Sequence, residues 1–130
     1  MAGTLTVTRE PIKFKYSGKI VERIHIAWTS TAGGAADVLI PDVFGYILKL
    51  VTDPVDGPTD NYDVTLIDEY GADVLATTGT NRDTTNSETV YPNVSGATIP
   101  AFSVGDVTFT VANAGSAKSG VAVLYVAECL

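Results

Sequence analysis

The sequence predicts an all-β protein, an antiparallel sandwich or jelly roll of about eight short strands. Three observations predict it. Apolar and polar residues alternate with period two over most of the chain, the mark of half-buried strands. The 17 threonines, with the many valines, isoleucines and tyrosines, suit a pleated surface. No stretch carries the repeat of an amphipathic helix. A length of 130 residues is enough for one domain, and 45% apolar against 18% charged residues is too apolar for a disordered chain.

The elements follow in order. Residues 1–15 read as an N-terminal arm or edge strand, and 16–130 as a single β-sandwich domain. Ile12, Phe14 and Tyr16 alternate with Lys13 and Lys15, so one face is buried and one is wet. Gly18 breaks that run. Ile20 to Thr29 places Ile24, Ile26 and Trp28 on one face, with Glu22 at its outer end, and Arg23, His25 and Ala27 on the other. Two glycines make a loop of Thr31–Ala35. Val38–Ile40 reads as a short strand stopped by Pro41, which cannot donate to a ladder. Phe44 to Val51 reads as a separate strand, apolar on both faces and suited to packing against a neighbouring subunit. Asp53–Asp60 reads as a long polar loop with two prolines.

Tyr62 to Ile67 is the next strand, with Tyr62, Val64 and Leu66 on one face. Asp68–Gly71 is a tight turn, and Asp73–Ala76 returns to complete a hairpin. Residues 77–88 form a polar connection long enough to cross between sheets. Glu88–Tyr91 is short and ends at Pro92. Asp106–Ala112 sets Val107, Phe109 and Val111 opposite Thr108 and Thr110. Asn113–Gly120 is a turn, and Val121–Ala127 is the last strand.

Composition excludes several kinds of chemistry. One Cys leaves no internal disulfide framework and no Cys-based zinc site, and one His leaves no multi-His metal centre. Cys129, beside Glu128, lacks the electropositive setting of a reactive thiol. A net charge of -7 argues against generic nucleic-acid binding. No run approaches the roughly 18 apolar residues of a membrane-spanning helix, and the first residues lack the apolar centre of a secretory signal. The expectation is synthesis and folding in a cytoplasm, with no nucleic-acid or membrane partner.

The charge is unevenly placed. Residues 1–30 carry Arg9, Lys13, Lys15, Lys19 and Arg23 against Glu10 and Glu22, a net +3. The remainder carries Lys49, Arg82 and Lys118 against 13 acids, a net -10. Such asymmetry either marks two solvated faces of one domain or steers docking onto an acidic surface.

Individual candidates read blandly. Asp53–Asp73 holds seven acids and no base, but its spacing does not match an EF-hand loop, so a solvated acidic stretch is favoured over a calcium site. No acid pair is marked out for glycoside hydrolysis. His25 lies mid-strand and no Gly-x-Ser-x-Gly elbow accompanies it. Gly115–Ser119 lacks the glycines of a phosphate loop and precedes a strand, so it reads as a hairpin turn. Asn93-Val-Ser95 fits the glycosylation pattern by accident. Trp28 and the tyrosines could line a sugar platform, but most sit in strands. Tyr70, beside Gly71 in a turn, is the ring expected to be exposed. No enzyme, cofactor or metal is expected.

Two stretches carry a resemblance. Leu50-Val-Thr-Asp-Pro-Val-Asp-Gly-Pro-Thr-Asp-Asn-Tyr-Asp-Val-Thr-Leu-Ile-Asp-Glu-Tyr-Gly-Ala-Asp-Val-Leu75 continues to Gly79-Thr-Asn-Arg-Asp-Thr-Thr-Asn-Ser-Glu88, and Val111 to Tyr125 closes the chain. With the Val7 to Ser30 opening, they resemble small virion structural proteins of tailed bacteriophages. The resemblance implies a capsid decoration (cement) protein, or a small head or tail accessory subunit, with no catalytic residues. It implies a place on the capsid surface, the major capsid protein as partner and a homo-oligomer, a trimer foremost. A carbohydrate-binding adsorption module is the alternative of another class. On this reading Arg9, Lys13, Lys15 and Lys19 meet an acidic capsid surface, and Phe44, Tyr46 and Leu48 supply the oligomer face.

Overall fold

The computed structural model describes residues 3–13, 20–58 and 61–128. Among the described residues nine strands are present: β1 (Thr4–Lys13), β2 (Ile20–Thr29), β3 (Ala36–Asp56), β4 (Asp63–Ile67), β5 (Glu88–Val90), β6 (Asn93–Val94), β7 (Ala97–Thr98), β8 (Ala101–Ala112) and β9 (Ser119–Ala127). Seven form one sheet, in the order β1-β2-β9-β3-β8-β4 with β5 also on β3, and β6-β7 form a small second one. Every pairing is antiparallel. The chain is all-β, and its arrangement is consistent with a sandwich.

The long strand β3 organises it. Residues Ala36–Ile47 pair with β8, and Tyr46–Asp56 pair with β9 on the opposite edge. One strand thus serves both halves of the sheet. The expectation of two strands separated at Pro41, followed by a loop from Asp53, is corrected here. Pro41 falls at a bulge between Ile40 and Val43, where no ladder donor is needed. Asp42 takes a left-handed φ of 54°, and its N–H donates to Asp106 Oδ1 at 3.2 Å. The strand bends without stopping, and its far end runs through Pro54 to Asp56 against β9. Gly45 is required at the turn-over: its φ is 128°, and a Cβ there would stand 2.3 Å from the Ala127 carbonyl oxygen.

Alternation then builds the core. Ile24, Ile26 and Trp28 of β2 meet Ile40, Val43, Ile47 and Leu50 of β3, Val64 and Leu66 of β4, Val107, Phe109 and Val111 of β8, and Leu124 of β9. Trp28 and Tyr62 pack ring to ring at 5.5 Å. Gly120 lies under that indole, since a Cβ would come within 2.6 Å of Trp28 Cζ2. Burial pushes the Tyr62 phenol up, against a hydrogen bond with Thr52 that pulls it down. The buried hydroxyl of Ser30 donates to the Gly115 carbonyl at 2.7 Å and accepts from Lys118 N–H at 2.9 Å. It ties the loop after β2 to the turn before β9.

Two further expectations change. Asp73–Ala76 is not a returning strand: a single bridge joins Ile67 to Asp73, and hydrogen-bonded turns follow to Thr80. Asp73 Oδ1 accepts from the N–H groups of Leu66 and Leu75, and Oδ2 from Thr77, which favours the turn over a ladder. Strand β8 begins at Ala101, five residues before the expected Asp106.

Candidate assembly surface

The outer face of the β3–β8 pair departs from the usual alternation. Phe44 stands opposite Val104 and Tyr46 opposite Phe102. Cross-strand partners share a face, so these four side chains form one ladder. The rings of Tyr46 and Phe102 meet at 5.1 Å with a 57° tilt. Yet Phe44 is 57%, Phe102 63% and Val104 55% exposed. Leu39, also exposed, continues the apolar strip beyond the bulge. At that end a groove of about 390 Å³ is lined by Leu39, Asp68, Glu69, Gly105, Asp106 and Thr108.

The residues expected to bind partners divide. Phe44 and Tyr46 lie together on this face, and Leu48 is half-buried at the bulge between Ile47 and Lys49. Arg9 is engaged within the chain. Its Nε and NH2 donate to the two Glu22 carboxylate oxygens, each at 2.8 Å. NH2 also donates to the Asp42 carbonyl at 2.9 Å, and NH1 to the Pro41 carbonyl. The hydrogen bond to Glu22 holds the guanidinium above its ordinary pKa. Arg9 therefore ties edge strand β1 to the bulge of β3, and its donors are spent there. Lys13 is exposed at the end of β1. Lys15 and Lys19 lie outside the described residues, as do Phe14, Tyr16, Asp60 and Cys129. Leu5 and Val7 of β1 pack against the core, so removing residues 1–15 takes away structure as well as charge.

Phe102 and Val104 were missed in the sequence because Pro100 and Gly105 flank them like a loop. The available signal was the alternation Phe102, Val104, Asp106 in register with Phe44 and Tyr46.

Three acids of the stretch, Asp63, Asp68 and Asp73, accept hydrogen bonds from backbone N–H groups. Asp68 Oδ1 accepts from Tyr70 and Ala72 N–H, at 2.9 and 3.0 Å. Asp63 accepts from Asn81 N–H and the Asn113 amide. Among the described residues, no group of three or more His, Cys, Asp and Glu side chains is placed to hold a metal ion. Asp83, in the polar connection, accepts from the N–H groups of Asn86 and Thr85, which hold its carboxyl below the usual range. His25 is half-exposed, with Nε2 3.9 Å from Glu10 Oε2, beside the Arg23–Glu10 ion pair at 3.1 Å. Trp28 and Tyr62 are buried and offer no sugar platform, whereas Tyr70 is 89% exposed. No helix among the described residues is long and apolar enough to cross a membrane.

The chain matches no protein-family model, and comparison with curated proteins yields no match.

Proposed function

We propose that the protein is a structural subunit of a tailed-phage virion, a decoration (cement) protein that binds the outer surface of the capsid and stabilises it. The observation that carries this reading is the exposed apolar ladder of Phe44, Tyr46, Phe102 and Val104 on a rigid sheet. A large exposed apolar patch marks an interaction surface rather than a reaction site. The resemblance of Leu50–Glu88 to small virion proteins supports the same reading. So does the engagement of Asp63, Asp68 and Asp73 by backbone N–H groups, where they shape turns. In this role the major capsid protein is the partner, and Lys13, exposed at the end of β1, is the basic residue that meets it.

The test is reconstitution. Purified chain is added to capsids that lack it, and the bound copies are counted by densitometry and located in a density map. Hundreds of copies over the head, with a raised capsid melting temperature, are expected. A few copies at one vertex or along the tail would make it an accessory subunit instead. Absence from the particle, with binding on a glycan array that Tyr70→Ala removes, would replace the reading with an adsorption module.

A further inference from the structure

The apolar ladder is flanked by opposite charges at its two ends. At one end lie Asp42 and Asp106, joined by the hydrogen bond from Asp42 N–H, with Asp68 and Glu69 across the groove. At the other lies Lys49, its Nζ 4.9 Å from the centre of the Tyr125 ring. Lys49 shares the face of the ladder, because it pairs with Tyr125 two places from Ala127, the partner of Tyr46.

The spacing is balanced. The ladder is centred on the pair Gly45 and Ser103. Asp106 is three positions from Ser103. Lys49 is four from Gly45, one of them taken up by the bulge at Leu48. Counted along the ladder, Asp106 and Lys49 therefore lie three positions from the centre, in opposite directions. A surface that meets its own copy across a two-fold axis must be self-complementary. Here an axis lying in the plane of the face, and crossing the strands at that centre, lays Phe44 and Val104 over the Tyr46 and Phe102 of a second copy. The same rotation brings Lys49 to the acidic groove.

We infer that the outer face of β3 and β8 binds a second copy of this chain across a two-fold axis, with Lys49 of each copy set against Asp42 and Asp106 of the other. The contact buries an aromatic centre inside a charged rim, the usual anatomy of a specific interface. A ring of three requires two different patches on each copy, so this face does not build the trimer that the resemblance implies. The inference goes beyond the virion role and stands without it.

The test is the mass of the full chain by sedimentation equilibrium over a range of concentrations. Twice the chain mass of 13.6 kDa is expected. Phe102→Ser should weaken the dimer at least ~10-fold, as loss of a central aromatic anchor does. Lys49→Glu and Asp106→Lys should each weaken it about 2–5-fold, the range of an exposed ion pair, and the double exchange should restore it. Circular dichroism checks that each variant is folded; Val104→Thr replaces Phe102→Ser if the latter is not. A monomer, a trimer, or a dimer indifferent to both Phe102→Ser and Lys49→Glu overturns the inference. Capsid binding of the unaltered chain is scored separately, so the dimer can fail while the virion role holds, and the reverse.

Discussion

The two ends of the sheet treat their outer faces differently. On β1 and β2 the outward positions are Thr4, Thr6, Thr8 and Glu10 opposite Thr29, Ala27, His25 and Arg23. That is the ordinary pattern of an antiparallel sheet with one wet face. On β3 and β8 the outward positions between the bulge and Pro100 are Phe44, Tyr46, Phe102 and Val104. Both regions satisfy the core equally, through Ile24 and Ile26 on one side and Ile40, Val43 and Phe109 on the other. The difference between them therefore owes nothing to folding. The outer face of β3 and β8 is the apolar exception on this sheet, and it is the feature on which the proposed assembly role rests.

That separation of roles can be broken most sharply by comparing an inward and an outward phenylalanine. Phe109→Ala should cost about 3–5 kcal/mol, because a fully buried ring leaves a cavity that the sheet cannot collapse. Phe102→Ala should change the stability of the dilute monomer by less than about 0.5 kcal/mol. Urea unfolding of both variants at low concentration checks this, and equal losses would erase the distinction. A smaller effect is expected at the seam between the regions. Arg9→Met removes the tie between β1 and the β3 bulge and leaves Glu22 without its partner. With the Arg9 and Glu22 side chains 30% and 26% exposed, solvent screening reduces the loss to about 1–2 kcal/mol. Hydrogen exchange should then rise in β1 before it rises in β8.

The smallest effect concerns pH. The carboxyl of Asp83 is held low by the N–H groups of Asn86 and Thr85. A depressed folded pKa means that its stabilisation is present above the ordinary aspartate value and is lost as pH falls through the lowered one. Asp83→Asn should lower the urea midpoint slightly near neutrality. The gap from the parent should close as pH falls below the ordinary aspartate value of about 4. A gap that persists in acid would mean that the carboxylate charge is not what orders the Asp83–Asn86 turn.

Much of this was legible in the sequence, and the failures have physical causes. Period two revealed the inward faces of β2, β4 and the Asp106–Ala112 part of β8, since alternation is a local property of burial. It also placed Tyr70 in an exposed turn. The continuity of β3 was hidden by Pro41, which reads as a terminator unless a bulge receives it, and the bulge depends on Asp106, 64 residues away. The start of β8 was hidden by Pro100 and Gly105. Arg9 looked like a free charge because its partners, Glu22 and the carbonyls of Pro41 and Asp42, are brought together only by the sheet. The assembly face was half visible: Phe44 and Tyr46 stood out by their apolar setting, but Phe102 and Val104 needed the β3–β8 register.

The position of β9 has a consequence for how the domain comes into being. Ser119–Ala127 lies between β2 and β3, whose paired residues come about 100 and about 70 residues earlier in the chain. The β1–β2 pairing joins residues close in the chain, whereas every pair of the β3–β8 ladder joins positions more than 50 residues apart. The two cannot be joined until β9 has left the ribosome and slid between them. Closure of the sheet therefore waits for β9, a strand distant in sequence from both of its neighbours. Until then the facing edges of β2 and β3 are open to any other extended chain.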